Sequence, residues 1–341
     1  MDADSPGRVE GTVRRVMPGR AVVDIASEAV EAHLRGGLTQ GRRNSVHLLA
    51  VGDRVRLRRS EGALVLVEDV LPRRNELARI DVGDKRGLRK QVLAANLDRI
   101  CVIVSLDKPC YNPRGVDRFL VLAASAEVPA LLVLNKCDLR VSANCDVPSP
   151  EEILGFYRSL GYEAIGTSVP TGDGLEDLCA ALAGRLSFLL GPSGAGKSSL
   201  LNVIYGLDLR TTAISSATSK GVHTTARVDW VDLPGGGVVL DAPGIRSISP
   251  WGLDQGSLAF CFPEFLRAGP CRFGDCLHRG EAGCAVAAAA GGSQISAQRL
   301  DSYRRILATL PGRAEWSSSG SYSGNQKSGF RSQSEEVDDE T

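Results

Sequence analysis

"LSFLLGPSGAGKSSLLNVI", residues 186–204, joins a short apolar run to a G-x4-G-K-S motif, which is followed by the apolar spacing of a helix. A glycine-rich turn between a strand and a helix directs backbone N–H groups and the positive end of the helix dipole toward an anion. This setting raises the match above a chance string, so the stretch predicts a phosphate-binding loop. In such a loop Lys197 contacts the β- and γ-phosphates, and the Ser198 hydroxyl binds Mg²⁺. The predicted nucleotide contacts are Gly191, Ser193, Gly194, Ala195, Gly196, Lys197, Ser198 and Ser199.

A D-x-P-G motif follows the loop along the chain, at the end of the apolar run "GGVVL". By itself such a motif is more often a plain turn. After a phosphate-binding loop the opposite interpretation is favoured, with Asp241 holding Mg²⁺ through water and the Gly244 amide meeting a γ-phosphate.

An N-K-x-D motif stands at the end of "LLVLNKCDL", residues 131–139. The Asp138 carboxylate can accept hydrogen bonds from N1–H and the 2-amino group of guanine, which adenine does not offer in that arrangement. Asn135 is expected to help identify the base, and the Lys136 stem to lie along it and reach toward the phosphate loop. Ser168, in "GTSVPTGDGLEDL", is expected to back the guanine with neighbouring main-chain N–H groups. A polar loop after a strand is the competing interpretation.

The order of these motifs is reversed relative to Ras-like GTPases, in which the phosphate loop comes first and the base motifs last. Because the ends of compact domains often lie close together, joining them and opening the chain elsewhere preserves the fold. The order therefore predicts a circularly permuted Ras-like P-loop domain that binds GTP and GDP with Mg²⁺.

Strand and helix patterns alternate through residues 99–250, which indicates a parallel sheet with flanking helices. Residues 8–71 hold several short β-rich runs separated by glycine-containing turns, which is typical of a small OB-like barrel. We therefore expect a multidomain α/β protein. The predicted parts are an OB-like RNA-binding domain (1–75), a linker or loop (76–98), the permuted GTPase domain (99–250), a C-terminal helical zinc-binding domain (251–312) and a disordered acidic tail (313–341).

Cysteine and histidine cluster in "CRFGDCLHRGEAGC", residues 271–284. Three thiolates and one imidazole suit a closed tetrahedral Zn²⁺ site of structural type, formed by Cys271, Cys276, His278 and Cys284. Chance clustering and disulfides are the alternatives. The total of nine cysteines is odd, and five of the others are scattered, so a reducing compartment fits better than a disulfide framework.

Charge is unevenly spread along the 341 residues, although the formal net charge is zero. Residues 1–90 contain 18 lysines and arginines against 13 acidic residues, whereas the last eight residues hold five acids and no base. The first 110 residues contain no Phe, Tyr or Trp, so the barrel cannot stack bases on aromatic rings. Arginine contacts to phosphates remain, with Arg42, Arg43, Arg54, Arg56, Arg58, Arg73 and Arg74 as candidates. No stretch approaches the roughly 20 apolar residues that a membrane span requires.

Taken together, these features resemble the RsgA (YjeQ) family of circularly permuted GTPases that depend on the small ribosomal subunit. The resemblance covers about residues 8–312 and rests on the permuted order, the barrel-like front and the Cys/Cys/His/Cys spacing occurring together. It implies hydrolysis of the β–γ phosphoanhydride of GTP, stimulated by the 30S-type particle, and a role in late small-subunit maturation. It also implies rRNA contacts by the barrel and zinc domains, and we expect a monomer without a membrane partner.

The resemblance further implies that "GVHTT", residues 221–225, is switch I. Thr224 or Thr225 would then complete the Mg²⁺ shell and sense the γ-phosphate. His223 would position the attacking water, so that His223, Lys197 and Thr225 form the expected catalytic set. A loop histidine with a purely local role is the competing interpretation of His223.

Two departures from the family pattern concern the same region. Relatives typically read G-R-H-T-T-T, whereas this chain has Val222 and Ala226 in place of Arg and the last Thr. Ile245 follows the D-x-P-G motif, and its aliphatic side chain cannot orient water by hydrogen bonding.

Two competing functions stay open from the sequence. A nucleotide-independent rRNA-binding assembly scaffold would keep the motifs only as a fold, and a P-loop ATPase would lack the guanine preference that Asn135 and Asp138 predict. The location implied is the cytoplasm for a bacterial host, and the chloroplast stroma or mitochondrial matrix for a eukaryotic one. The acidic tail slightly favours an organelle.

Overall fold

The N-terminal strands close into a barrel in the computed structural model. The structure describes residues 8–26, 28–35, 49–59, 65–80, 89–139, 147–206, 228–242, 250–292 and 294–312. Within these ranges β1 (Arg8–Met17), β2 (Arg20–Ile25), β3 (Glu28–Leu34), β4 (Arg54–Arg59) and β5 (Val65–Val70) pair in the order β1-β2-β3-β5-β4, and β1 closes on β4. Alternate side chains fill the interior, among them Val13, Val23, Val55, Leu57 and Val67. The predicted OB-like barrel is confirmed.

The described parts of residues 76–98, namely 76–80 and 89–98, form more regular structure than the linker that their polar composition predicts. Here β6 (Glu76–Ile80) and β7 (Lys90–Ala95) form an antiparallel two-stranded sheet, and the Ala95 amide donates to the Val51 carbonyl of the barrel region at 2.8 Å. Leu77 and Leu93 are buried. The linker interpretation is therefore wrong for residues 76–80 and 90–95. It failed because charged residues outnumber the few apolar positions that anchor the two strands. The domain boundaries themselves stay a prediction.

A six-stranded sheet forms the middle of the described chain, in the order β10-β9-β8-β11-β13-β12. Its strands are β8 (Arg99–Ser105), β9 (Ala130–Asn135), β10 (Glu163–Thr167), β11 (Leu186–Leu190), β12 (Asp229–Asp232) and β13 (Val238–Asp241). All neighbours are parallel except β12, which is antiparallel to β13. Because both faces are covered, β8 is buried along its whole length, as parallel strands usually are.

Four helices flank this sheet, and their starts follow from the sequence. They are α1 (Pro113–Ser125), α2 (Pro150–Ser159), α3 (Leu175–Leu182) and α4 (Lys197–Tyr205). Asn112 caps α1 by accepting from the Arg114 and Gly115 amides, and Ser149 with Glu152 forms a capping box on α2. The predicted α/β alternation is confirmed.

The barrel touches the sheet at its edge strand β12. Arg14 of β1 lies over the Trp230 ring, 5.3 Å from the centroid, and forms an ion pair with Asp232. The Trp230 indole N–H also donates to Asp232 at 2.9 Å. This contact covers part of an edge that would otherwise expose backbone groups.

The C-terminal region packs on α1 through its own apolar core. It contains two 3-10 helices (Leu258–Cys261 and Phe265–Arg267), α5 (Ala285–Ala289) and α6 (Ala297–Thr309). Phe262, Tyr303 and Ile295 are fully buried there, together with Val121 of α1.

Cys110 is disulfide-bonded, and seven other cysteines of the described part are free. Within the described ranges, no helix combines the length and apolar character that crossing a bilayer requires.

Candidate functional site

The carboxyl ends of the parallel strands bring the predicted motifs to one edge of the sheet. Asn135 ends β9, Ser168 follows β10, Gly191 follows β11 and Asp241 ends β13. Ligands of open α/β sheets bind at this edge. The base motif and the phosphate loop, 60 residues apart in the chain, meet here through a hydrogen bond from Asn135 Nδ2 to the Ala195 carbonyl at 2.9 Å.

The phosphate loop has a backbone that only glycine can follow. Gly191, Gly194 and Gly196 have φ values of 151°, 80° and 92°. A Cβ at Gly191 would lie 2.0 Å from the Ile103 carbonyl oxygen, and one at Gly196 would lie 2.3 Å from Asn135 Nδ2. No side chain caps the start of α4, so its first amides are available to an anion.

Lys197 lies inside this loop with its ammonium held by main-chain oxygens. Its Nζ donates to the Gly191 carbonyl at 2.9 Å and to the Pro192 carbonyl at 3.1 Å. Burial lowers the pKa of Lys197, and the nearby Asp241 carboxylate acts in the opposite direction. The partly buried ammonium therefore has a favourable position for binding a phosphate.

Asp241 fits the predicted magnesium role. Burial raises the pKa of this carboxyl, while Lys197 opposes the shift. Its Oδ1 atom is buried without a hydrogen-bond partner. An orphaned carboxylate oxygen next to a phosphate loop, with the Ser198 hydroxyl at the start of α4, is a donor set that suits hydrated Mg²⁺.

Asn135 braces the site through both ends of its amide. Besides the bond to Ala195, its Oδ1 accepts from the Thr167 hydroxyl at 3.1 Å, and all three residues are buried. The amide therefore joins the ends of β9 and β10 to the phosphate loop. Thr167 is a contributor that the sequence motif does not reveal.

Lys136 reaches back to the phosphate loop, as its position in the motif predicts. Its Nζ donates to the Gly194 carbonyl at 2.8 Å and to the Lys108 carbonyl. Its backbone has φ 62°, a left-handed conformation that turns the chain sharply after β9. Burial lowers the pKa of Lys136, and Asp107 acts in the opposite direction.

Asp138 is oriented by the predicted companion segment. The Ser168 hydroxyl donates to Asp138 Oδ1 at 2.7 Å, and the Thr171 amide donates to the Ser168 oxygen at 3.3 Å. A Cβ at Gly174 would lie 1.9 Å from the Gly166 carbonyl oxygen, so this turn also requires glycine. The Ser168 hydroxyl therefore holds the Asp138 carboxylate in a defined orientation.

The loop between β8 and α1, residues 106–112, also borders the site. The Lys108 carbonyl accepts from Lys136, and a Cβ at Gly194 would lie 3.4 Å from Pro109 Cδ. No sequence signal indicates this role, because the segment contains no nucleotide motif. Several other predicted residues lie outside the described part of the chain, namely His223, Thr224, Thr225, Gly244 and Ile245.

The Cys/His cluster has the dimensions of a zinc site. The ligand atoms of Cys271, Cys276, His278 and Cys284 all lie within 4.8 Å of one another. His278 Nδ1 is 3.6, 3.6 and 3.4 Å from the Cys271, Cys276 and Cys284 sulfurs, and the sulfurs of Cys271 and Cys284 are 3.9 Å apart. Four ligands at ordinary Zn²⁺ bond lengths in a tetrahedron lie about 3.6 Å (S to N) and about 3.8 Å (S to S) apart.

Backbone amides support the sulfurs of this cluster. The Ala285 amide donates to Cys271 Sγ at 3.3 Å, and the Ala287 amide donates to Cys284 Sγ at 3.3 Å. Amide donors stabilise thiolate, the form that binds metal. The residues therefore fit Zn²⁺ in a closed, structural coordination shell.

We expect one zinc ion for each chain, and none after Cys276→Ser, because three ligands no longer close the tetrahedron. Elemental analysis of the purified protein measures the zinc content, and a thermal melt measures the accompanying loss of stability. Cys179→Ser is the matched control, since this thiol lies outside the cluster. Equal zinc content in the two variants would contradict the assignment.

Comparison with known proteins identifies the family of the chain. The model of the RsgA GTPase family matches residues 70–251. The small ribosomal subunit biogenesis GTPase RsgA of Gemmatimonas aurantiaca is 40% identical over 294 residues, which cover 84% of this chain and 92% of the relative. The protein of the same name from Chlorobaculum parvum is 43% identical over 276 residues, covering 77% and 86%.

Solved structures agree with the sequence relatives. The crystal structure of YjeQ from Thermotoga maritima matches with a TM-score of 0.68 at 30% identity, covering 90% of this chain and 99% of that one. YloQ, described as a circularly permuted GTPase, matches in fold with a TM-score of 0.65 at 24% identity, covering 90% and 96%. The predicted permuted fold is confirmed, and the chain belongs to the RsgA GTPase family.

Proposed function

We propose that this chain hydrolyses GTP as a switch in the maturation of the small ribosomal subunit. Its relatives are named as GTPases of small ribosomal subunit biogenesis. One observation carries the proposal. Asn135 and Lys136 join the base motif to the carbonyls of Ala195 and Gly194 in the phosphate loop, so both motifs border one site. A single guanine nucleotide can then contact both.

The roles within the site follow from these contacts. Asp138, aimed by Ser168, accepts from guanine, while Asn135 and Lys136 hold the base segment on the phosphate loop. The loop amides and Lys197 bind the phosphates. Bound Mg²⁺ would neutralise phosphate charge, held through Ser198 and Asp241. For His223, Thr224, Thr225 and Gly244 the roles stay those that the sequence predicts.

The direct test is the rate of GTP hydrolysis with and without purified small ribosomal subunits. We expect slow hydrolysis by the protein alone and a large increase in kcat when subunits are added. ATP in place of GTP should give no increase. Equal rates with and without subunits would contradict the switch, and a preference for ATP would support an ATPase.

We expect Asp138→Asn to lower the affinity for GDP roughly 100-fold and to create tight binding of xanthosine diphosphate. The new amide places a donor opposite the guanine 2-amino group, whereas xanthine offers a carbonyl there. Titration with fluorescent nucleotides measures both affinities. Asp177→Asn, an exposed carboxylate on α3, is the matched control and should bind GDP as the parent protein does. Unchanged GDP affinity in Asp138→Asn would remove this residue from base recognition.

The barrel is the proposed rRNA contact, but its arginines differ in availability. Arg54, Arg56 and Arg58 lie on the outer face of β4, where each faces an acidic residue. Arg73 is committed to the buried Asp53, at 2.6 Å, and so is unsuited to the phosphate contact that the sequence predicts. The exposed arginines of β4 are the better candidates.

We expect rRNA affinity to fall steeply with salt, and Arg56→Gln to reduce the slope of log K against log salt by about one. Filter binding of small-subunit rRNA between low and physiological salt measures the slope. A slope that does not change with the variant would place the RNA contact elsewhere.

The alternative function is a nucleotide-independent rRNA-binding scaffold. The partly buried Lys197 ammonium and the buried Asp241 Oδ1 without a partner favour nucleotide binding, since a scaffold gains nothing from these costly groups. We further propose that the protein is a monomer, cytoplasmic in a bacterial host and in the chloroplast stroma or mitochondrial matrix of a eukaryotic one.

A further inference from the structure

A chain of polar groups, buried from Tyr111 to Arg299, connects the C-terminal region to the nucleotide site. It begins at the loop between β8 and α1, residues 106–112, whose Lys108 carbonyl accepts from Lys136. The loop is braced from within, because the Ser105 hydroxyl donates to the Pro109 carbonyl at 2.7 Å and the Tyr111 amide donates to the Leu106 carbonyl at 3.1 Å. A displacement of this loop therefore moves an acceptor of Lys136.

Tyr111 anchors the far end of the loop. Its hydroxyl donates to the Tyr157 hydroxyl of α2 at 3.2 Å, and that hydroxyl donates to Asp117 Oδ1 of α1 at 3.3 Å. Burial raises the pKa of Tyr111 to about 12 and raises that of Tyr157 as well. Both phenols stay protonated at neutral pH, so the direction of donation from Tyr111 to Asp117 is fixed.

Asp117 is the point at which the C-terminal region joins the chain. Arg299 of α6 donates from Nη1 to Asp117 Oδ1 at 2.6 Å and from Nε to Glu264 Oε1 at 2.6 Å. The guanidinium lies over the Phe262 ring, 4.4 Å from its centroid. Arg299, Asp117 and Glu264 are each no more than 1% exposed. Such a buried fork leaves little freedom in the position of α1.

We propose that Arg299 is a positioning residue for the guanine-nucleotide site, acting through Asp117, Tyr157 and Tyr111 on Lys136. This inference rests on the proposed function, since it concerns the same site. The C-terminal region thereby determines how firmly Lys136 is held against the phosphate loop. The coupling between Arg299 and the nucleotide site is carried by this chain of hydrogen bonds. Comparing single and double variants measures the coupling free energy.

The test uses Tyr111→Phe in the full-length protein, which removes one hydroxyl and keeps the ring. We expect the Kd for fluorescent GDP to rise roughly three- to ten-fold, the range for loss of one buried hydrogen bond. The KM for GTP should rise by the same factor at unchanged kcat, because Lys136 holds the substrate and the transition state alike. A purely structural role would instead lower the folded fraction, and thus kcat, at unchanged KM.

Tyr303→Phe is the matched control. This hydroxyl is also buried and donates to the Leu277 carbonyl at 3.1 Å, outside the chain that leads to Lys136. We expect its GDP affinity and KM to equal those of the parent protein, even where thermal stability falls as it does for Tyr111→Phe. A rise in KM in the control would show that lost stability alone explains the effect.

Arg299 is tested with Arg299→Lys, Tyr111→Phe and the double variant. If both residues act through the same chain of hydrogen bonds, the Kd of the double variant for GDP equals that of the single variant that binds GDP less tightly. Effects that multiply would overturn the proposal, as would a parent-like Kd and KM in Tyr111→Phe. Tyr157→Phe replaces Tyr111→Phe should the latter not fold. Failure of the proposed function is a separate outcome, seen when the parent protein binds GDP no better than ADP.

Discussion

Lys197→Met is expected to lose roughly a thousand-fold in kcat/KM for GTP while the protein itself folds as well as before. The ammonium is the point charge that the phosphate loop offers to the β- and γ-phosphates, and removing one such group from a preorganised site costs about this much. Folding does not suffer, because burial lowers the pKa of Lys197 and its charge is held only by carbonyls and Asp241. Methionine keeps the length of the side chain without the buried charge.

Thermal melting distinguishes this expectation from general damage. Without nucleotide, the Lys197→Met melting temperature should equal or exceed that of the parent protein. With saturating GDP the parent gains stability by mass action, whereas the variant gains much less. Lys90→Met, a lysine paired with Glu76 far from the loop, is the control and should keep full activity. Hydrolysis within ten-fold of the parent rate would contradict the role of Lys197.

Arg299→Met is expected to lower the free energy of unfolding by about 3–5 kcal/mol, the usual cost of removing one partner from a buried ion pair. The loss leaves Asp117 and Glu264 as two buried carboxylates without their cation. Chemical denaturation measures it. The triple variant Arg299→Met, Asp117→Asn, Glu264→Gln should recover most of the loss, since no uncompensated charge remains. A triple variant as unstable as the single one would mean that packing, not charge, is what Arg299 supplies.

The pH dependence of Arg299→Met has a definite sign. Burial raises the pKa of Asp117, although the positive charge of Arg299 acts to lower it. A carboxyl with a raised pKa in the folded state binds more protons folded than unfolded, so stability increases as the pH falls toward the unfolded pKa. The variant should therefore lose less stability relative to the parent protein at pH 5 than at pH 8.

The sequence predicted those elements that carry a local signal. The phosphate loop, the strand before Asn135 and the Cys/His spacing are each contained in fewer than twenty residues, and the structure places each as expected. The two-stranded sheet of β6 and β7 was missed because its few apolar positions lie among charged neighbours.

Other features could not be predicted because they depend on long-range contacts. Arg299 is one of three arginines in α6, and nothing local indicates that its partners lie 182 and 35 residues away. The motif predicts that Asn135 identifies the base, and nothing local indicates that its amide also bonds to Ala195 and Thr167, 60 and 32 residues away. These long-range contacts depend on the order and alignment of the elements in space, which the sequence pattern does not determine.

The permuted connectivity divides the sheet into two consecutive blocks of chain. Strands β10, β9 and β8 all come from residues 99–167, whereas β11, β13 and β12 come from residues 186–241, and the blocks share one seam between β8 and β11. A bound guanine nucleotide would straddle that seam, with its base on the earlier block and its phosphates on the later one. Ligand and seam would thus stabilise each other, and two fragments divided between residues 168 and 185 should reassociate more tightly when GDP is present.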